Sequence, residues 1–215
     1  MKTSTSLHLA ELLTSRLCHD LITPIGAINT GLELFQETLP DQLTESDEIL
    51  NLILNSAQTA SARVSFYRLA FGSGGGKVSL GNARELIDKY FKRRKLKIHW
   101  PDTFQKDLAL GRWGRILLNS VLWMSECAPR GGTLHISVPK GNSPTLSLRL
   151  SADPIILHQG TLEALEGKSI LQDITPRTVP CYLIHCIVKG DNGKLTIHKT
   201  PSPSELILEV TMGQN

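Results

Sequence analysis

The run Gly72-Ser73-Gly74-Gly75-Gly76 limits this chain more than any other feature, because neither a helix nor a strand holds consecutive glycines without a large loss of backbone entropy. Such a run reads as a flexible joint. Helical periodicity dominates before it, and helical and strand patterns alternate after it. We therefore divide the chain into a helical hairpin over residues 1–74 and a mixed domain over residues 75–215, an α+β architecture. With 215 residues, the chain can hold one large domain or two small ones, and either arrangement can bury a core without covalent staples.

The hairpin pattern consists of two apolar stripes. Leu17, Leu21, Ile25, Ile28, Leu32 and Phe35 recur at steps of three and four, as do Leu50, Ile53, Ala57, Ala60, Val64 and Phe71. Between them lies the short turn Leu39-Pro40-Asp41-Gln42-Leu43, followed by Thr44-Glu45-Ser46-Asp47, a capping-box pattern for the second helix. So short a connection makes the helices antiparallel neighbours. Beside the stripes, Ile22, Leu34 and Leu54 are apolar too, more than two helices can bury against each other. Two copies of the hairpin forming a four-helix bundle solve that problem, so a homodimer is expected.

After the joint, the patterns predict a helix over Leu80–Lys95, a strand over Leu96–Trp100, a helix over Leu108–Glu126 and strands over Thr133–Pro139 and Thr145–Ser151. An irregular stretch with one short helix is expected over Asp153–Pro176. A helix over Val179–Lys189 and a hairpin of Lys194–Lys199 with Glu205–Thr211 complete a sheet covered on one face.

Several function classes are disfavoured. No apolar run reaches the roughly 18 residues of a membrane span, and Met1-Lys2-Thr3-Ser4 lacks the sections of a secretory signal, so a cytoplasmic protein with no membrane partner is expected. Cys18, Cys127, Cys181 and Cys186 are scattered and read as free thiols. The net charge of +3 is small, and the cluster Lys89, Lys92, Arg93, Arg94, Lys95 and Lys97 reads as a solvated helix end, so no nucleic-acid partner is expected. His8, His99, His135, His158, His185 and His198 are not clustered at metal-ligand spacing, and no bound metal or cofactor is expected.

His19 breaks the helical pattern. At about 100° per residue it lies about 200° round from Leu17, on the outward face, with the small residues Ser15, Thr23, Gly26 and Thr30 beside it. A partner surface can approach an imidazole standing over so low a surface. Pro24 follows five residues later, where proline removes a helical hydrogen bond and bends the axis. A lone outward histidine is ordinarily just a solvated residue. However, His19-Asp20-Leu21-Ile22-Thr23-Pro24, in the first helix of a hairpin, resembles the phosphoacceptor box of sensor histidine kinases. A neutral imidazole is a competent nucleophile near physiological pH and gives a labile phosphoramidate. Asp20 then either orients the ring or accepts its proton. By the same resemblance, Thr23 positions water for dephosphorylation; the alternative is an ordinary helix hydroxyl.

Residues 112–138, from Arg112-Trp113-Gly114-Arg115 to Pro129-Arg130-Gly131-Gly132-Thr133, resemble the helix and turn of a Bergerat-type kinase ATPase domain. In kinases that helix carries two asparagines, the second holding magnesium. Here Asn119 matches the first, and Trp123, which has no oxygen for a metal, stands at the second. Asp153 remains in Ser151-Ala152-Asp153-Pro154-Ile155 without the flanking glycines, and Arg177-Thr178-Val179-Pro180 replaces a second glycine-rich box. The ATPase-like domain is degenerate.

Arg16-Leu17-Cys18-His19-Asp20-Leu21, Gly31-Leu32-Glu33-Leu34, Phe66-Tyr67-Arg68-Leu69-Ala70-Phe71-Gly72 and Pro129-Arg130-Gly131-Gly132 together resemble the ChpT-type histidine phosphotransferases of bacterial phosphorelays. The resemblance implies a homodimeric four-helix bundle followed by a degenerate Bergerat-type sandwich. It implies that His19 takes phosphate from the receiver domain of a hybrid histidine kinase and passes it to the receiver domain of a response regulator, without ATP. No cofactor is bound by this chain, and Mg2+ is expected in the partner receiver. The competing readings are an active, divergent sensor histidine kinase and a dimerisation module that only scaffolds.

Overall fold

The computed structural model describes residues 2–37, 43–72, 79–92, 94–101, 112–138, 145–201 and 204–213. Helix α1 (Lys2–Glu37) runs for 36 residues with Pro24 inside it, and α2 (Leu43–Ala70) returns beside it. Asp20 meets Arg63 and Tyr67, and further up the hairpin Gly31 meets Ile53, so the helices are antiparallel. Only glycine permits that upper contact, since a Cβ on Gly31 would lie 2.6 Å from Ile53 Cγ1. The expected turn at 38–42 and the side chains of Thr44 and Glu45 lie outside the described residues.

The second part comprises α3 (Leu80–Phe91), β1 (Leu96–His99), α4 (Arg112–Cys127), β2 (Gly132–Ser137), β3 (Thr145–Ser151), α5 (Thr161–Glu166), a 3-10 turn (Leu171–Asp173), α6 (Val179–Gly190), β4 (Lys194–Pro201) and β5 (Ser204–Thr211). The five strands form one sheet in the order β1-β2-β3-β5-β4, in which β1 and β2 are parallel and the other pairs antiparallel. Alternation decides its faces: Leu134, Ile136, Leu146, Leu148, Leu150, Leu206, Leu208 and Val210 are buried on one side, while His135 and Arg149 point to the other. Helices α4 and α6 pack together over the sheet. The chain is thus α+β, as expected.

The helix expected over Leu80–Lys95 ends earlier, at Phe91. Its start is fixed by Ser79, whose hydroxyl accepts from the Asn82 N–H at 3.1 Å. Its end is set by the sheet, because the Gly132 N–H donates to the Lys95 carbonyl (3.2 Å) and draws that segment into the β1 edge. Gly131 makes this close approach possible: it has φ +97°, and a Cβ there would lie 2.3 Å from the Lys95 oxygen. Leu108–Gly111, the expected first turn of α4, and Arg93 lie outside the described residues.

The hairpin and the second part are packed against each other. Phe66, Tyr67 and Ala70 at the end of α2 share one core with Leu80, Ile87, Ile116 and Trp123. The Ala70 carbonyl, in the last turn of α2, would otherwise lack a helical donor. It accepts from the fully buried Asn119 amide at 2.9 Å, and the same amide donates to the Arg115 carbonyl at 2.8 Å. Asn119→Ala is therefore expected to cost about 1–3 kcal/mol, the penalty of a buried unsatisfied group, read as a lower urea midpoint with an unchanged slope. The glycines expected to form the joint, Gly74 to Gly76, lie outside the described residues.

Candidate functional site

Helix α1 presents His19 outward with its side chain 84% exposed, and Ser15, Thr23, Gly26 and Thr30 around it are exposed as well. The neighbouring Asp20 turns inward and is only 15% exposed. Its Oδ1 lies 3.1 Å from His19 Nδ1. An ionised carboxylate only accepts, so Nδ1 carries the hydrogen and the Nε2 lone pair faces away from the protein.

Asp20 is held from three further directions. The Tyr67 hydroxyl from α2 donates to Oδ2. The Tyr90 hydroxyl from α3 lies 2.9 Å from that of Tyr67 and 3.5 Å from the same carboxylate oxygen. Arg16 Nε, one turn back on α1, lies 3.5 Å from Oδ2. Burial alone raises the carboxyl pKa. The Tyr67 bond, the Arg16 charge, the His19 bond and Arg63 outweigh it and hold Asp20 below its ordinary value of 3.8. Burial pushes both tyrosines up, so they remain hydroxyl donors. A depressed carboxyl contributes stability above its unfolded pKa and loses it as pH falls through the folded value. The stability of Asp20→Asn is accordingly expected to fall less steeply than that of the parent chain below about pH 3.9, measured by urea unfolding across acid pH.

Pro24 explains another contact. It has no N–H to offer the carbonyl four residues back, which is that of Asp20. The guanidinium of Arg63 on α2 donates to that carbonyl instead. The proline thus leaves a backbone acceptor beside the histidine without breaking the helix, and the second helix supplies its donor. Thr23 stands exposed on the His19 face, within one turn.

His19 sits at the edge of a cleft of about 1140 Å³ between α1 and the second part. Ser15, Arg16, His19 and Asp20 form one wall. Arg94 and Lys95, Glu126 at the end of α4, Ala128, Pro129 and Gly131 in the turn after it, His158 and the segment Thr175–Arg177 line it from the second part. His19, Asp20 and Thr23 were named from sequence. Arg16, Arg63, Tyr67, Tyr90 and Glu126 were not assigned roles, although the four-residue spacing of Arg16 and Asp20 on one helix was a readable signal.

Two of the kinase-like positions, Asn119 and Trp123, serve packing, and a third is left at the surface. Asn119 is consumed by the end of α2, Trp123 is 2% exposed within the core, and Asp153 is exposed. Thr175 and Thr178 bond to each other ahead of α6 (3.3 Å between hydroxyls), whose first residues, Val179, Pro180 and Cys181, are buried. The loop that is glycine-rich in kinases is here a closed turn.

Residues 80–202 match the family described as the histidine phosphotransferase C-terminal domain. Across 202 residues, 92% of this chain and 93% of its relative, the sequence is 31% identical to the protein phosphotransferase ChpT of Brucella abortus (strain 2308). The chain belongs to the histidine phosphotransferase family. A solved bacterial phosphotransferase superposes on this phosphotransferase with a TM-score of 0.77 and 30% identity, covering 95% of this chain and 96% of that one. The Acinetobacter baumannii histidine kinase AdeS gives a TM-score of 0.47 at 17% identity, covering 91% of this chain and 98% of its own.

Proposed function

We propose that this phosphotransferase relays phosphate through His19. It takes the group from the receiver aspartate of a hybrid histidine kinase and gives it to the receiver domain of a response regulator, without drawing on ATP. One observation carries the reading: His19 is exposed at the edge of the cleft, with Nδ1 held by Asp20 and Nε2 without a hydrogen bond among the described residues. The Nε2 lone pair attacks phosphorus while the bond between phosphorus and the donor aspartate oxygen breaks, and that oxygen keeps the electron pair. Asp20 keeps the ring oriented and stabilises the cationic imidazole that forms. Passing the group on reverses the same step. Mg2+ belongs to the receiver in this reading, and this chain supplies no ligand for it.

Arg94, Lys95 and Arg177 line the cleft and suit an acidic receiver face. Charge reversal at Lys95 and Arg177 together is expected to raise the KM for a phosphorylated receiver about tenfold or more, as rim charges govern encounter, without changing the unfolding midpoint. In this reading the exposed Thr23, four residues on from His19, holds a water that hydrolyses phosphohistidine. An unchanged phosphohistidine lifetime in Thr23→Ala would reduce it to a helix hydroxyl.

The bundle interface in this proposal is the apolar surface that the single hairpin leaves uncovered. Ile25, Leu32 and Phe35 on α1 and Leu50, Leu54 and Val64 on α2 are each at least 40% exposed. A second hairpin covers them, making the functional unit a homodimer. Leu32→Glu is expected to convert a dimer into a monomer by light scattering at micromolar concentration, and a monomeric parent chain would remove the bundle from the account. We place the protein in the cytoplasm; no helix among the described residues is long and apolar enough to cross a membrane. The test of function is transfer from a purified phosphorylated receiver to this chain without nucleotide, with appearance of label at His19 expected.

A further inference from the structure

Arg16 is 8% exposed, and each of its three nitrogens faces a different element. Nη2 donates to Glu126 in the last turn of α4. Nη1 donates to the Pro176 carbonyl ahead of α6, at 3.3 Å. Nε lies 3.5 Å from Asp20 Oδ2 yet makes no hydrogen bond there. A buried guanidinium is stable only when its charge is matched, and here two carboxylates compete for one cation. A shift of the end of α4, or of the chain at Pro176, relative to α1 changes how much of that cation Asp20 receives.

The same groups form walls of the cleft: Glu126, Thr175, Pro176 and Arg177 on one side, Arg16, His19 and Asp20 on the other. Among the described residues, the remaining groups facing Asp20, namely Arg63 and Tyr67 on α2 and Tyr90 on α3, have no hydrogen bond to Glu126, Thr175, Pro176 or Arg177. Arg16 alone among these contacts joins the two walls.

We propose that Arg16 is a positioning residue for phosphotransfer, transmitting the placement of the far wall of the cleft, through Glu126 and Pro176, to Asp20 and so to the imidazole of His19. The proposal rests on His19 being the phosphoacceptor. With Glu126 in place, Arg16 is largely neutralised, and Asp20 Oδ1 is free to hold the Nδ1 hydrogen. When Glu126 withdraws, the Arg16 charge falls on Asp20 and loosens that hold, and Nε2 is a free nucleophile for a smaller fraction of the time. A receiver seated against Pro176 and Arg177 therefore governs the reactivity of His19 without touching Asp20.

The experiment compares the full chain with Glu126→Gln and with the double variant Arg16→Met/Glu126→Gln. The double variant removes both charges together and leaves neither buried alone. The readouts are the 15N shifts of the His19 ring, which report its tautomer, and kcat and KM for transfer from a phosphorylated receiver. Glu126→Gln is expected to lower kcat about 2- to 30-fold, the span of couplings carried by such networks, with KM little changed and with loss of the Nδ1–H tautomer. The double variant is expected to recover both toward the parent values. Parent-like kcat and shifts in Glu126→Gln would overturn the proposal, as would a double variant no better than the single. Absence of label at His19 in the parent chain would instead remove the reading beneath it.

Discussion

A His19→Gln chain is expected to accept no measurable phosphate from a phosphorylated receiver, a loss of at least about three orders of magnitude in transfer rate. The amide of glutamine fills much of the same space but offers no nucleophilic nitrogen lone pair. The substitution isolates chemistry from folding because the side chain is 84% exposed and, among the described residues, hydrogen-bonds to Asp20 alone. Exposed substitutions of this kind shift stability by no more than about 0.5 kcal/mol, so the urea midpoint should match the parent. Cys18→Ser, at the adjacent exposed position, should transfer normally. Retained transfer in His19→Gln would move the phosphoacceptor elsewhere.

Trp123→Ala is expected to destabilise the fold by about 3–5 kcal/mol, the cost of emptying a buried aromatic site. Trp123 is 2% exposed and sits on a helix whose Ile116, Leu117, Leu118, Val121 and Leu122 are all buried. Its indole N–H is buried without a hydrogen-bond partner among the described residues, so truncation strands no acceptor. Against a typical total of about 5–15 kcal/mol, the loss should appear as a large drop in urea midpoint. Trp123→Asn sharpens the comparison. It restores the residue type that holds magnesium in kinases, but it puts an amide into the apolar core, so it should destabilise as well and confer no labelling by ATP.

Much of this arrangement was legible because period reports direction. Counting from Leu17 places His19 outward on α1, and alternation in Thr145–Ser151 gives β3 with its observed limits. Period was less informative on α2. The pattern of Leu50, Ala57 and Val64 marks an apolar face, yet α1 covers Ile53 while those three stay exposed, and Ser56, Phe66 and Tyr67 are buried instead. A helix apolar on more than one side does not reveal which side its neighbour takes. The end of α3 was set by a carbonyl drawn into the sheet from Gly132, a long-range contact with no local signal.

The surroundings of the phosphoacceptor were the hardest to read. Asp20 and Thr23 are neighbours of His19 in sequence, so a motif exposes them. Tyr67, Tyr90 and Glu126 reach the site from other helices, across 47, 70 and 110 residues of separation from the α1 groups they contact. The role of Arg63 becomes clear only once Pro24 is seen to leave the Asp20 carbonyl without a helical donor. Asn119 and Gly131, which the sequence relates to nucleotide-binding kinases, prove to serve packing and a tight turn.

The most direct test of the central claim mixes the purified chain with a receiver carrying radiolabelled phosphate, with no nucleotide present, and in a parallel reaction supplies labelled ATP alone. The account predicts acid-labile, base-stable label on His19 in the first reaction, its passage to a second receiver when one is added, and no label in the ATP reaction. Label acquired from ATP alone, or label from the receiver that persists in His19→Gln, would contradict it.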